Sequence, residues 1–329
     1  MPSMIDRSRN AVIREDSVDF PGAQAPDRSY RVDAAGVGIA VHEWGDRHAP
    51  PLLAIHGGFD FARTLDVFAP LVAAGGWRVV SWDHRNHGDS ELVAMHGFAA
   101  DLRDAAWVLK SLTDGPVPVL GHSKGGALSL RLADSWPHRV SHLINIDGMP
   151  ARRKMPDVSD TERTKLLSTE LAGWLDHHRR ASTGQRKSDT LEGLARRRAK
   201  MNPRLTHEWL CYLVTAGARH DPDGWRWKID PMMRMGGFGP WRPDWAIEGL
   251  AGLAMPFLGI VGDQSEPMGW EASEEELRPF VPRHARLETV AGTGHFVHIE
   301  EPDKVAALVL EFLGRPPSGA VLARVAAAS

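Results

Sequence analysis

Two periods of apolar positions alternate along this chain. Short apolar runs at 52–55, 77–82, 117–120, 140–146, 256–261 and 285–290 have the length and bounding turn residues of buried strands. Residues 37–44 alternate apolar and polar, as a half-exposed strand does. Between these runs the apolar spacing is helical: Phe68, Leu71 and Val72; Leu102, Ala105, Ala106 and Leu109; the stretch 127–133; and 302–313 near the end. Strands alternating with helices at this spacing predict an α/β fold, with a mostly parallel, doubly wound sheet covered on both faces.

The alternation is interrupted between 151 and 245. This segment carries 19 Lys plus Arg against 12 Asp plus Glu, and six of the twelve Trp: Trp174, Trp209, Trp225, Trp227, Trp241 and Trp245. Helical spacing is predicted at 160–178, 190–200 and 205–217, and Gly236-Gly237-Phe238-Gly239-Pro240 breaks the pattern. The segment is expected to be a mainly helical insertion into a core of residues 26–150 and 246–315. Residues 1–25 are expected to form a peripheral arm and 316–329 a frayed tail.

Composition narrows the class. A hydrophobic share of 43% and a charged share of 25% are ordinary for a globular enzyme. The net charge of −3 argues against nucleic acid or an anionic membrane as partner. One cysteine, Cys211, leaves no internal disulfide, and no apolar run approaches the length of a membrane span. Residues 1–25 hold no apolar stretch of signal-peptide type, so the expected location is cytoplasmic.

The polar motifs fall where strands end, which is where open parallel sheets place their sites. The 117–120 run leads into Gly121-His122-Ser123-Lys124-Gly125-Gly126, and an apolar-faced helix follows at once. A strand–turn–helix with glycine on both sides of a serine holds the hydroxyl up at a helix N-terminus. The 52–55 run ends in His56-Gly57-Gly58, the 77–82 run in Asp83-His84-Arg85-Asn86-His87-Gly88-Asp89-Ser90, and the 140–146 run in Asp147-Gly148. The 256–261 run ends in Gly262-Asp263-Gln264-Ser265-Glu266, and the last in Gly292-Thr293-Gly294-His295.

Over roughly residues 30–315 these motifs resemble the α/β-hydrolase family, in its capped serine-hydrolase form. The order serine, then acid, then histidine fits as well. The resemblance implies Ser123 as nucleophile and His295 as base, with His298 a competitor expected to pack in the core. Most relatives carry Asp where Ser265 stands. A variant with the acid one place later matches Glu266, which is therefore the expected triad acid; Asp147 is the runner-up and Asp263 third. The backbone N–H groups of Gly58 and Lys124 would form the oxyanion hole, and the Lys124 ammonium is expected to point to solvent. The Asp83–Ser90 loop resembles a braced turn of the family, with Asn86 in place of its usual glycine. His84 and His87 lack a clear third ligand, so no metal is expected, nor any cofactor.

The implied activity is cleavage of a small or medium carboxylic ester, a lactone or a C–C diketone, through an acyl-enzyme. Serine at the elbow argues against the epoxide hydrolases and haloalkane dehalogenases of the family, which use a carboxylate. The expected partner is an apolar or amphipathic small-molecule ester, bound by a monomer or homodimer. Met232, Met233, Met235 and the Trp residues of 151–245 would suit an apolar wall, or form that segment's own core. The alternatives are a cofactor-free lyase or perhydrolase on the same fold, or a ligand-binding homologue without catalysis.

Overall fold

The computed structural model describes residues 18–149, 163–181, 184, 186–233, 249–269 and 272–314. Its centre is an eight-stranded sheet. The strands are β1 (Arg28–Asp33), β2 (Gly38–Trp44), β3 (Pro51–Ile55), β4 (Arg78–Trp82), β5 (Val117–His122), β6 (Val140–Ile146), β9 (Phe257–Gly262) and β10 (Arg286–Val290). The spatial order is β1-β2-β4-β3-β5-β6-β9-β10. The β1–β2 and β2–β4 pairs are antiparallel, and the other five pairs are parallel.

The apolar runs are the central strands because they are buried on both faces. Every residue of β5 is buried. One face of the sheet is covered by α2 (Phe98–Leu112) and α3 (Lys124–Ser135); Val108, Leu109, Leu128 and Leu132 pack there with Val80 and Val119. The other face is covered by α1 (Phe68–Ala74) and the last described helix, α7 (Pro302–Phe312), through Phe68, Val72, Val305 and Val309 against Leu120 and Ile144.

Between β6 and β9 the chain forms α4 (Arg163–Ala181), α5 (Leu191–Ala199), α6 (His207–Gly217) and the antiparallel pair β7 (Ala218–Asp221) and β8 (Gly224–Trp227). The three helices lie where helical spacing predicts them. Thr190 caps α5 by accepting the Gly193 N–H, and Thr206 caps α6 by accepting that of Trp209. Trp209, Leu210, Leu213 and Trp225 are buried in a third apolar cluster with Phe61, which follows β3, and Phe296, which follows the His295 loop. Trp209 and Trp225 therefore belong to the core of this segment. Phe20 packs edge-on against Trp209 at 5.0 Å. Trp241, Trp245, Met235, the predicted break at 236–240 and the tail at 316–329 lie outside the described residues.

Candidate active site

Ser123 occupies the step from β5 to α3 with φ +53° and ψ −121°, a strained conformation for a residue with a side chain. The residues two places before and after it must be glycines because the turn is crowded. A Cβ on Gly121 would lie 2.2 Å from the Gly125 carbonyl oxygen, and one on Gly125 would lie 2.2 Å from that of Ile55. Neither contact can be relieved without moving backbone.

The register of the sheet sets Asp147 beside Ser123. His122 pairs with Ile146 across β5 and β6, so the next residue of each strand emerges at the same level. The Ser123 N–H donates to the Ile146 carbonyl at 3.0 Å, and the Asp147 N–H to that of Ile260 at 2.8 Å. Asp147 has φ +42°.

His295 comes from the loop after β10 and closes the group. The Ser123 hydroxyl lies 2.9 Å from His295 Nε2. On the other side of the ring, Nδ1–H donates to Asp147 Oδ2 at 2.5 Å. A carboxylate on Nδ1 leaves Nε2 as the proton acceptor facing the hydroxyl. Ser123 is 9% exposed and His295 1%.

The two leading candidate acids make different contacts with His295. Glu266 accepts the backbone N–H of His295 through Oε2 at 2.6 Å, while Asp147, the runner-up, faces the imidazole. Asp263 accepts the Gly292 N–H at 2.8 Å, and Glu300 that of Gly294 at 2.8 Å. Three carboxylates thus fix the main chain of the histidine loop. Burial pushes the Glu266 carboxyl up, against the opposing hydrogen bond from His295.

His122, between the elbow glycine and Ser123, is a site residue that sequence reasoning missed. Its Nε2–H donates to the His295 carbonyl at 2.9 Å. The main chain of His295 is therefore held on its N–H by Glu266 and on its C=O by His122. Burial holds His122 well below the ordinary histidine value, with His295 beside it adding to the effect. The only signal in the sequence is the imidazole next to the serine. His298 is buried 4.4 Å from the His122 ring, centroid to centroid, and packs as expected.

The Lys124 ammonium does not point to solvent. It pairs with the buried Asp101 carboxylate of α2 at 2.6 Å. A strong charge sits on the α2–α3 contact, and Asp101 could not be left there alone.

The His56 loop is buried and hydrogen-bonded. His56 Nδ1–H donates to the Gly57 carbonyl at 2.7 Å, and Nε2 accepts the His84 N–H at 3.0 Å. Burial, with His84 and His87 nearby, holds His56 well below its ordinary value. Burial also brings His87 down to about 4, with Lys124 adding to the shift. His84 and His87 do not fall among the close groups of potential metal ligands in the described residues.

The Asp83–Ser90 loop is braced as the resemblance implies. Asp83 Oδ1 accepts the Ala62 N–H at 2.8 Å and Oδ2 that of Asp89 at 2.7 Å. Burial pushes the Asp83 carboxyl up, but His42 and these donors outweigh it and hold it below the usual range. Asn86 has φ +64°, which asparagine tolerates better than most side chains; this accounts for its standing in a glycine position. Met233 is buried against the Asn86 amide, whose Nδ2–H donates to the Met233 Sδ at 3.7 Å.

Comparison with known proteins agrees with this architecture. The α/β hydrolase fold family matches residues 50–302, and the chain belongs to it. It is a hydrolase of that family. The mouse sn-1-specific diacylglycerol lipase ABHD11 is 26% identical over 274 residues, 82% of this chain and 82% of that protein. A 2-hydroxy-6-oxononadienedioate/2-hydroxy-6-oxononatrienedioate hydrolase of Klebsiella pneumoniae is 31% identical over 157 residues, 44% of this chain and 52% of that protein. Among solved structures, the thioesterase domain from the curacin biosynthetic pathway superposes with a TM-score of 0.72 at 25% identity, covering 86% of this chain and 99% of the domain. Among the described residues no helix is long and apolar enough to cross a membrane.

Proposed function

We propose that this hydrolase cleaves a carboxylic ester by nucleophilic catalysis, with Ser123, His295 and Asp147 as its triad. The observation that carries the reading is the pair of contacts on one imidazole, 2.9 Å to the Ser123 hydroxyl and 2.5 Å to Asp147. Ser123 Oγ attacks the carbonyl as His295 Nε2 takes its proton. Asp147 keeps Nδ1 protonated and steadies the imidazolium. The proton passes to the leaving alcohol, and water activated by the same imidazole releases the acid.

The oxyanion would be received by the backbone N–H groups of Gly58 and Lys124. The first follows β3 and the second opens α3, where the helix N-terminus favours negative charge. Removing one such donor typically costs about 3 kcal/mol of transition-state stabilisation. The segment between β6 and β9 serves as the cap: Trp209 and Trp225 pack with Phe61 beyond β3 and with Phe296 beside the histidine.

Ester cleavage is preferred to C–C cleavage on coverage. The lipase-named relative matches 82% of this chain, and the oxononadienedioate hydrolase 44%. A carboxylate on the imidazole also supports catalysis over a ligand-binding role, which an incomplete triad would favour. The test is hydrolysis of p-nitrophenyl acetate and butyrate. The wild type is expected to exceed Ser123→Ala by at least about a thousandfold in kcat. Equal rates would end the proposal.

A further inference from the structure

A second cluster of chemistry-bearing side chains lies outside the active site, where α5 meets α6. Glu192 opens α5, while His207 and Cys211 stand four residues apart on α6. Four residues is one helical turn, so both α6 side chains project from the same face. Cys211 Sγ lies 3.4 Å from His207 Nε2 and 4.0 Å from Glu192 Oε2, and His207 Nε2 lies 2.8 Å from Glu192 Oε2. The thiol is buried, at 7% exposed; the imidazole is 51% exposed and the carboxylate 46%, leaving one side open to water.

These separations can be set against coordination chemistry. A tetrahedral zinc ion bound by sulfur, imidazole nitrogen and carboxylate oxygen sets its donors about 3.3–3.6 Å apart, from the usual bond lengths. The three separations here lie within roughly half an ångström of that range, so side-chain adjustment alone would admit the ion. Thiolate and imidazole together select a soft transition metal over calcium or magnesium. The other close group of potential ligands among the described residues is His42, Asp83 and Asp89. There the Asp83 oxygens already accept backbone N–H groups, and Asp89 is paired with Lys228 at 2.7 Å.

The geometry points to a binding site for a divalent transition metal of the zinc class, held by Glu192, His207 and Cys211, with water at the fourth position. Binding converts the Cys211 thiol to thiolate and passes its proton to solvent; no electron is transferred. Two nearby contacts bear on it. The Arg196 guanidinium lies 3.3 Å from Glu192 Oε1, and it would keep that oxygen while Oε2 turns to the metal. Glu192 and Glu208 lie beside the thiol, and burial together with these carboxylates pushes it up.

The site would tie α5 to α6. The last turn of α5 carries Arg198, whose Nη1–H donates to the Phe59 carbonyl at 2.9 Å and whose Nη2 lies 3.5 Å from the Asp60 carboxylate. Metal at the start of these helices therefore braces the pair that rests on the loop after Gly58. The site does not depend on the proposed reaction.

The chain contains a single cysteine, so any thiolate-to-metal band reports this site alone. Cobalt(II) chloride is titrated into the full chain after dialysis against EDTA, and the absorption spectrum is followed. One equivalent is expected to produce a near-ultraviolet sulfur-to-cobalt charge-transfer band with visible bands of tetrahedral intensity; zinc should abolish both. Cys211→Ser should remove the charge-transfer band. The half-exposed positions supply variants that keep the fold: Glu192→Gln and His207→Ala should each weaken binding at least about tenfold with an unchanged circular dichroism spectrum. A folded wild type that gives no charge-transfer band at saturating cobalt overturns the proposal. So does a band insensitive to both Glu192→Gln and His207→Ala.

Discussion

Glu266 and His295 meet through backbone and carboxylate, not through the imidazole. Oε2 of Glu266 accepts the His295 N–H at 2.6 Å, and the ring turns its Nδ1 to Asp147. Two carboxylates near one histidine thus have separable tasks, one on the main chain and one on the ring. Asp147→Asn is expected to lower kcat by about 10³–10⁴-fold with little change in stability, because an amide oxygen or nitrogen at Nδ1 cannot steady the imidazolium. Glu266→Gln, which keeps an acceptor, should retain activity to within about tenfold. Glu266→Leu should destabilise the fold by about 1–3 kcal/mol by leaving a buried N–H unpaired. Steady-state kinetics with urea unfolding of all three variants separates these outcomes.

His122 supports the same loop from the other side. His122→Phe keeps an aromatic ring but removes the donor to the His295 carbonyl. A loss of roughly 1–2 kcal/mol in stability is expected. The same variant should lower kcat, since a small displacement of His295 misaligns Nε2 with the hydroxyl. Unfolding curves and kcat measured on one preparation check both.

Gly121→Ala and Gly125→Ala should not yield folded protein at ordinary temperature. Each added methyl would stand 2.2 Å from a backbone oxygen, and the loss is expected to exceed about 4 kcal/mol. Soluble yield and circular dichroism give the readout. Ser123→Ala at the same turn should fold, because it adds no atom.

The Lys124–Asp101 pair predicts a non-additive cycle. Lys124→Met strands a carboxylate that is fully buried and should cost about 2–3 kcal/mol, a figure reduced for the quarter exposure of the lysine side chain. Lys124→Met combined with Asp101→Leu should cost less than Lys124→Met alone. Urea midpoints of the two single variants and the double variant measure the coupling.

Acid should unfold the protein early. His56, His84, His87, His122 and His298 are all held below the ordinary histidine value, chiefly by burial. Unfolded, each takes a proton near pH 6.5; folded, His87 does so only at about 4. Below pH 6.5 the unfolded chain therefore binds more protons, and stability falls as pH drops from there toward 4, with His87 accounting for about 2 kcal/mol at pH 5. Asp60 works the other way, since burial raises its carboxyl to about 7. The contribution of one histidine is isolated by comparing wild type with His87→Gln: the variant should lose about 2 kcal/mol less between pH 7.5 and pH 5.

Much of this architecture is legible in the residues. The central strands announce themselves because burial on both faces demands unbroken apolar runs, and 117–120 and 256–261 are such runs. Ser123 is legible because a crowded turn forces glycines at fixed offsets. Helices α5 and α6 are legible from apolar spacing begun by capping threonines. The carboxylate on His295 is not. Asp147 and Glu266 both follow strands at the same end of the sheet, and only strand register and the path of the histidine loop decide which oxygen meets a ring and which meets an amide. The Lys124 pairing escapes sequence reading for the same reason: Asp101 lies on α2, and nothing in the local pattern couples the two helices.

Intact-protein mass spectrometry after treatment with a fluorophosphonate bears most directly on Ser123 as nucleophile. The wild type is expected to take up one phosphonyl group, mapped by digestion to Ser123, with labelling slowed strongly in Asp147→Asn and absent in Ser123→Ala. A folded wild type that remains unlabelled, or one labelled at another residue, would contradict the account.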